Sequence, residues 1–356
     1  MSSLLKLETD LAQAIASEIR IHVTPEEKRR LDDKRSFNPG AVDAYLKGRA
    51  QYWSPVMHWP HLQVAEEYYK ETLKIEPDYA WARAGLAEVY VVRTFNPGQR
   101  AKPWLAKAKE SAQQALACDD FLAEAHTVMA WVKMMLDWDW PGAEDEIRRA
   151  IRLNPSHCQA HSWYGNILTA LGRFDEASAE LKRGQELDPL SPLSNFSVPA
   201  PAYMKGDYAQ ALKEAHQLLD RGPQFVYARF YIAAVYLQQG KFRECIAECL
   251  KLPDQFWEIQ TEPILAQAYA LSGDRTKALK MLERLKGSCP ADAQPAYSIA
   301  SLYAVLGDID EAIRWLEQAY EDRSSRMHTL AVNPILRRLH SDPRFSAILR
   351  KMNLQA

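Results

Sequence analysis

The sequence predicts an all-α protein: a right-handed superhelix of about eight consecutive helix pairs, with an amino-terminal helix and carboxy-terminal capping helices. Three observations support this fold class: glycines recur at a fixed spacing, a small residue follows each of them, and prolines recur with the same period. The chain has 356 residues, of which 47% are hydrophobic and 25% charged. That composition is ordinary for a folded protein, and the length is enough to bury a large core.

Glycines recur in the carboxy-terminal part of the chain at spacings of 34, 34, 33 and 34 residues: Gly172, Gly206, Gly240, Gly273 and Gly307. A small residue stands five positions after each glycine: Ala177, Ala211, Cys245, Ala278 and Ala312. Prolines share this phase: Pro155, Pro189, Pro223 and Pro290. The stretch LTALGRFDEASAEL (168–181) shows the unit, which is the end of one amphipathic helix, a glycine turn and the start of the next helix.

Each glycine is predicted to end the first helix of a pair in a backbone conformation that would strain any residue with a Cβ atom. The acidic residue that follows, as in GDIDEA (307–312), begins the second helix, where the helix dipole favours negative charge. The two helices of a pair can cross closely only at small residues. In the first helix, these predicted crossing points are Gly165, Ala233, Ala266 and Ala300.

The period divides residues 38–321 into eight units, near 41–77, 78–120, 121–155, 156–189, 190–223, 224–257, 258–290 and 291–321. The third unit has one extra residue, and the first two have enlarged loops. In the fifth unit, Pro199 and Pro201 fall inside the first helix, which is therefore predicted to be kinked or frayed.

Both ends of the chain lie outside the period. Residues 1–37 are predicted to form an amphipathic helix and a linker, with one apolar stripe: Leu4, Leu5, Leu7, Leu11, Ala14, Ile15 and Ile19. Something must cover this stripe, either the first unit or the same helix of a second chain, and a homodimer through this end is the favoured hypothesis. Residues 322–356 are predicted to be capping helices that cover the last apolar face.

Composition excludes several classes of function. The net charge is −2, which gives no electrostatic reason to expect nucleic acid as a partner. The five cysteines are too few and too dispersed for a disulfide framework, and Cys245 and Cys249, on one helical face, are interpreted as buried small residues. There is no apolar run long enough to span a membrane and no signal-like amino terminus, so the expected location is a reducing cytoplasm.

No constellation of residues in the sequence predicts catalysis or a cofactor. His157 and His161 are one helical turn apart, but no carboxylate follows at the spacing of a metal site, so they are interpreted as surface or packing residues. There is no glycine-rich phosphate loop and no nucleophile motif. The phrase WDWPGAEDE (138–146) is interpreted as a turn that Trp138 and Trp140 hold together. The chain is therefore predicted not to be an enzyme and to contain no metal.

A period of 34 residues with two helices per period resembles the tetratricopeptide repeat. Whole phrases, among them LAEAHTVMAWVKMMLDWDWPGAEDEIRRAIRLNP and LHSDPRFSAILRKMNL, are similar to the repeat region of bacterial TolB-like and winged-helix (CadC-like) regulators, adenylate cyclases and protein kinases. This resemblance covers nearly the whole chain. It implies a detached or shortened carboxy-terminal half of such a regulator, since their effector domain has no counterpart in this sequence.

In a tetratricopeptide superhelix, the first helix of each pair lines a concave groove. The register places the following side chains there: Trp81, Trp131, Ser162, Asn166, Phe196, Tyr203, Tyr227, Phe230 and Tyr297. Aromatic rings on a preformed surface suit recognition of a peptide with apolar side chains, although some of these rings could instead pack against the next unit. The predicted function is a protein-interaction scaffold or regulatory module that binds a peptide or partner protein. The alternative is a small-molecule or lipid sensor with its ligand in the same groove.

Overall fold

The computed structural model describes residues 37–53, 59–95, 100–252, 261–287 and 295–354, and within these ranges the regular structure is helical, with no strand. Consecutive helices pack as antiparallel pairs, and the pairs stack into a right-handed superhelix, which confirms the predicted fold class. In chain order the pairs are α1 (Pro39–Tyr52) with α2 (Trp59–Ile75), α3 (Ala80–Arg93) with α4 (Ala101–Cys118), α5 (Ala123–Val132) with α6 (Trp140–Leu153), α7 (Cys158–Ala170) with α8 (Phe174–Leu187), α9 (Pro192–Asn195) and α10 (Ala200–Lys205) with α11 (Tyr208–Arg221), α12 (Arg229–Gln238) with α13 (Phe242–Cys249), α14 (Glu262–Leu271) with α15 (Arg275–Gly287), and α16 (Ala296–Leu306) with α17 (Ile309–Glu321).

The glycine turns have the predicted geometry. At Gly172 φ is +74°, and the other four glycines of the period have φ between +72° and +95°, in the left-handed region. After Gly172, the amide of Arg173 donates to the carbonyl of Leu168 at 2.9 Å, and the corresponding bond forms in the other four turns. This bond satisfies a carbonyl that the helix end would leave unpaired, and only glycine provides the required φ without strain.

The crossing points inside the pairs are as close as the small residues suggested. A Cβ atom built on Gly165 would lie 2.5 Å from Cγ of Leu181 and 3.1 Å from the carbonyl oxygen of Ala177, both on the partner helix α8. At the equivalent positions of later units, Ala233, Ala266 and Ala300 are fully buried. The backbones of each pair therefore meet where the sequence places its smallest side chains.

The fifth unit is interrupted as predicted. Its first helix is divided into α9 and α10, and residues 196–199 between them form turns. Pro199 and Pro201 lie at the start of α10. Proline has no amide hydrogen for the helical ladder and its ring crowds the preceding turn, so the helix restarts at this point.

The extra residue of the third unit is accommodated by a π-helix. Residues Lys133–Asp137 continue α5 with this wider turn, and Trp138 follows with φ of +54°. A π-helix accommodates one more residue than an α-helix would over the same rise, so the unit keeps its register with its neighbours. Such segments are frequent at functional sites.

The predicted amino-terminal helix lies outside the described residues, and the homodimer hypothesis that depends on it stays a prediction. Within the described ranges, none of the helices combines the length and the apolar character that crossing a bilayer requires.

Candidate interaction surface

The C-terminal segment (residues 322–354) does more than cover the last unit, because it also runs across the first helices of other units. It contains 3₁₀ turns at Met327–Thr329 and Pro334–Leu339 and the helix α18 (Pro343–Lys351). A side-chain cap begins the second 3₁₀ turn, where Asn333 accepts a hydrogen bond from the amide of Ile335 at 3.1 Å. A second cap begins α18, where Asp342 accepts a hydrogen bond from the amide of Arg344 at 2.8 Å. The prolines that follow these caps fix the backbone for a new helical turn.

The part of this segment that lies against the superhelix, named the inner segment (residues 326–339), is buried on one side. Its buried residues are Met327, Leu330, Asn333, Pro334, Leu336 and Leu339, and the arginines Arg337 and Arg338 between the last two are exposed. In a 3₁₀ helix, residues i and i+3 lie above one another, which places Leu336 and Leu339 on one face. The inner segment thus resembles an amphipathic peptide bound to a surface.

Three of the predicted groove residues contact the inner segment. The ring of Trp131 lies 5.7 Å from the ring of His328. The guanidinium carbon of Arg326 lies 5.0 Å from the centre of the Phe230 ring. The side-chain amide of Asn333 donates to the Tyr297 hydroxyl at 2.8 Å. The structure therefore brings Trp131, Phe230 and Tyr297, from three different units, against one stretch of chain.

The surroundings of the inner segment are aromatic. Burial lowers the pKa of Arg326, and the nearby phenol groups of Tyr203, Tyr231 and Tyr297 oppose that effect. Burial also lowers the pKa of His328 to about 4. The Nδ1 atom of His328 donates to the carbonyl of Ser325 at 2.8 Å, which fixes the ring. A cation against aromatic faces gains an electrostatic attraction that partly replaces its lost hydration.

Four of the other predicted groove residues contact a neighbouring unit. The Ser162 hydroxyl donates to the carbonyl of Ser194 at 2.8 Å, and the Tyr227 hydroxyl donates to the carbonyl of Pro192 at 2.9 Å, so both hold the short helix α9. The ring centre of Phe196 lies 5.3 Å from that of Tyr227, and the Gln238 amide donates to the Tyr203 hydroxyl at 3.5 Å. The ring of Trp81 lies 5.8 Å from the ring of Tyr79 in the same unit, and the Trp81 side chain is 38% exposed. Asn166 is half-buried. As binding residues for a partner, all nine remain a proposal.

Both ends of the C-terminal segment meet at one turn of the third unit, named the tryptophan turn (residues 136–140). At the first end, Arg323 donates through Nε to the carbonyl of Leu136 at 2.9 Å, and its guanidinium lies over the Trp138 ring at 5.3 Å. At the other end, Asn353 donates to the carbonyl of Trp138 at 3.1 Å. The indole of Trp140 donates to the carbonyl of Met352 at 2.7 Å. The tryptophan turn therefore binds both ends of the C-terminal segment, which lies more than 180 residues later in the sequence.

The contacts of Arg323, Met352 and Asn353 with the tryptophan turn, together named the joint, include residues with an unusual backbone conformation. Among the described residues, three that are not glycine have a positive φ: Trp138 at +54°, Arg323 at +55° and Asn353 at +55°. All three belong to the joint. A residue with a Cβ atom in this conformation costs about 1–2 kcal/mol, and such residues cluster at functional and switching sites. The joint is thus the strained element of the structure.

The histidines of the third and fourth units hold helices together. The sequence left surface and packing positions open for His157 and His161, and the structure buries both. His161 bonds through Nδ1 to Glu180 at 2.7 Å and through Nε2 to the carbonyl of Pro155 at 3.0 Å. His126 makes the same pair of bonds one unit earlier, with Glu146 at 2.6 Å and the carbonyl of Asp120 at 2.9 Å. The recurrence of histidine one unit apart is the signal in the sequence that indicates this bracing.

The Glu146 carboxylate, which bonds to His126, is strongly stabilised in its charged form. Its burial would raise its pKa, but hydrogen bonds from His126 and Lys133 outweigh burial and lower the pKa to about 2. Lys133 reaches the second carboxylate oxygen at 2.8 Å. These bonds tie α6 to the π-helix that carries the tryptophan turn.

A buried polar cluster joins the first, second and fourth units. Arg49 donates to Oε2 of Glu88 at 2.7 Å, and the amide of Gln159 donates to the Tyr52 hydroxyl at 2.8 Å. Burial raises the pKa of Glu88 to about 7, against the opposing effect of Arg49. Burial also lowers the pKa of His157, in the same cluster, to about 4. Burial therefore disfavours the charged forms of both Glu88 and His157.

The Glu88 carboxyl should make stability depend on pH. Its pKa is about 7 in the folded chain and near 4.5 when exposed, so the folded chain binds more protons between these values. The contribution of Glu88 to the free energy of unfolding is present below pH 4.5 and falls by up to about 3 kcal/mol as the pH rises to 7. We expect Glu88→Gln to remove this dependence. Denaturant unfolding of both chains at four pH values tests it, and a constant difference between them would contradict it.

Cys245 and Cys249 are fully buried in the pairing of α12 with α13, as interpreted from the sequence. Within the part of the chain that the structure describes, no group of three or more histidine, cysteine, aspartate or glutamate side chains is arranged to hold a metal ion.

Comparisons with known proteins agree with the repeat architecture. A tetratricopeptide repeat family model matches residues 139–192 and 202–257, and a second such model matches residues 293–321. The crystal structure of yeast Tom70 is similar over 90% of this chain and 69% of that one, with 15% identity and a TM-score of 0.51. A monomeric mutant of IFIT1 with Gppp-AAAA is similar over 89% of this chain and 76% of that one, with 15% identity and a TM-score of 0.57.

At this level of identity, the likeness to solved structures concerns the fold alone. A search of curated protein sequences finds no significant match. The period of 34 residues, the glycine turns, the close helix crossings and the family models lead to the same result. Residues 139–192, 202–257 and 293–321 match tetratricopeptide repeat models, and the described residues form a right-handed α-helical superhelix of helix pairs.

Proposed function

We propose that this chain is a non-enzymatic scaffold that binds an extended peptide from a partner protein on its concave surface. The observation that supports this proposal most directly is the inner segment. It contains short 3₁₀ turns, it contacts the first helices of several units, and its methionine and leucine side chains are buried there. A surface that holds such a segment in cis has the shape and chemistry to hold a similar peptide in trans.

The contacts of the inner segment define the mode of recognition. Aromatic rings receive the cation of Arg326 and the ring of His328, and a tyrosine hydroxyl accepts the amide of Asn333. Arg338 donates to the carbonyls of Ala304 and Val305 at 3.1 Å, at the end of α16. Buried aromatic anchors with a few directed hydrogen bonds are typical of surfaces that bind peptides tightly.

The cellular role that we propose is regulatory. The resemblance of the phrases around the tryptophan turn and of the C-terminal segment to bacterial TolB-like and CadC-like regulators supports a signalling module in the cytoplasm. The balanced charge supports a protein partner rather than nucleic acid. The alternative is a sensor that holds a small molecule or lipid on the same surface. This alternative predicts that a compact ligand binds saturably and that a peptide does not compete with it.

A photo-crosslinking peptide tests the proposed function. The probe is a fluorescent peptide with the sequence of residues 322–340, with benzophenone attached at its amino end, and a scrambled peptide serves as the control. We expect crosslinks on the inner helices α5, α12 and α16 of the full chain at high peptide concentration. Crosslinks confined to the second helices of the pairs, or equal labelling by the scrambled peptide, would refute the proposal.

A pair of variants in the sixth unit adds a matched test. Phe230→Ala removes a half-buried ring on the first helix, beneath Arg326. Phe242→Ala removes a half-buried ring on the second helix of the same unit. We expect Phe230→Ala to weaken peptide crosslinking at least about tenfold, as loss of a central aromatic anchor does. Phe242→Ala should leave crosslinking unchanged, and an equal effect of both variants would contradict the assignment of the surface.

A further inference from the structure

In this structure, three of the side chains proposed to bind a partner are covered by the chain itself. The inner segment covers parts of the third, sixth and eighth units through Trp131, Phe230 and Tyr297. A partner peptide on these side chains would have to take the place of the inner segment, because two chains cannot contact the same rings and hydroxyl.

The side chains of the inner segment indicate which side chains a competing partner peptide would need. Arg326 provides a cation for the aromatic site at Phe230, and Met327 and Leu330 provide buried apolar side chains at the next positions. Asn333 provides an amide for the Tyr297 hydroxyl. The segment from 322 to 340 is also basic, with four arginines and one aspartate. A peptide that has an arginine followed by apolar side chains at the positions of Met327, Leu330, Leu336 and Leu339 fits this surface.

The joint at the tryptophan turn is the place where displacement can begin. Arg323 and Asn353 anchor the two ends of the C-terminal segment at this turn, and each of them, like Trp138, has a positive φ. Release of an anchor removes one or two hydrogen bonds and relieves the strain at the same residue. The anchors are therefore weaker than their hydrogen bonds alone indicate.

We propose that the inner segment is an intramolecular competitor, and that the scaffold binds a basic, extended partner peptide by displacing residues 326–339 after release of the joint. This proposal rests on the proposed function and adds its regulation and the chemistry of the partner. The apparent affinity for the partner is the intrinsic affinity reduced by the fraction of chains in which the segment is released. Any change that loosens the joint should raise the apparent affinity by the same factor.

The test loosens the joint in the full chain. Arg323→Ala with Asn353→Ala removes both anchors, and Arg350→Ala, at an exposed basic residue of α18, is the matched control. Two quantities are measured: hydrogen exchange of the amides of residues 326–339, and the dissociation constant of the fluorescent 322–340 peptide. We expect faster exchange and at least about tenfold tighter peptide binding in the double variant than in the wild-type chain and in Arg350→Ala.

Specificity controls accompany this measurement. In the double variant, Phe230→Ala should cancel the gain in affinity, and a peptide that carries Arg326→Glu should bind at least about tenfold more weakly than the native sequence. If the double variant does not fold, Trp140→Phe provides a milder change, because it removes only the indole bond to Met352.

The outcomes separate this inference from the proposed function. Equal peptide affinity in the wild-type chain and the double variant, with crosslinks on the inner helices, would overturn the competitor and keep the scaffold. Faster exchange without any peptide binding would overturn both. Concentration-dependent dimers of the double variant with a protected inner segment would also overturn the proposal, since a second copy of the segment would then be the occupant.

Discussion

The Gly165→Leu variant is expected to unfold with a free energy more than about 2 kcal/mol below that of the wild-type chain. A Cβ atom at this position would lie 2.5 Å from Leu181 and 3.1 Å from the backbone oxygen of Ala177. The neighbouring backbone cannot move away without separating α7 from α8, so the added side chain forces the pair apart. Denaturant unfolding followed by circular dichroism at 222 nm measures the effect.

Gly287→Leu is the matched control for this substitution. Gly287 ends α15 and is exposed. Apart from its chain neighbours and the backbone of its own helix, no heavy atom of the described residues lies within 4 Å of the position where a Cβ would lie. We expect its free energy of unfolding to stay within about 0.5 kcal/mol of the wild-type value, as for most surface substitutions. Gly165→Ala provides a graded intermediate in case the leucine variant does not fold. Similar values for the two leucine variants would show that Gly165 is not a close crossing point.

Arg49→Met should destabilise the chain far more than the loss of a charge from an exposed ion pair would. It removes the partner of Glu88, whose side chain is 1% exposed and would be left as an uncompensated buried charge. Breaking a buried ion pair in this way costs about 3–5 kcal/mol. The loss should be smaller at pH 5 than at pH 8, because Glu88 can then take up a proton and become neutral. Unfolding at both pH values measures it.

Lys47→Met is the matched control on the same helix. The ion pair of Lys47 with Asp43 is exposed on both sides, at 53% and 65%, and such pairs contribute about 0–1 kcal/mol. The double variant Arg49→Met with Glu88→Gln should recover most of the stability that Arg49→Met loses, because no charge is then left buried. A double variant as unstable as Arg49→Met would mean that the cost arises from packing and not from the charge of Glu88.

The repeat architecture was predictable from the sequence because its determinants are local. The turn at Gly172 and the crossing at Gly165 each depend on residues within one unit, and every unit repeats the same arrangement. The break at Pro199 and Pro201 follows in the same way from the chemistry of proline. Periodicity then multiplies each local signal along the chain.

The candidate groove was predictable only in part. The register places Trp131, Phe230 and Tyr297 in the groove, and these three contact the inner segment; that they bind a partner stays a prediction. It could not separate them from Ser162 and Tyr227, which hold α9 in place. A first-helix position faces both the groove and the next unit, and the balance depends on how neighbouring units are rotated. Local sequence does not carry that rotation.

The sequence by itself determined the helix pairs, their turns, their close crossings and the irregular fifth unit. Only the tertiary structure decided that Trp140 bonds to Met352, 212 residues later, and that the inner segment covers Trp131, Phe230 and Tyr297. The physical reason is the range of the interactions. Turn and crossing energies act within about one unit, whereas the path of a superhelix sums small rotations over all eight units before its end can meet the third one.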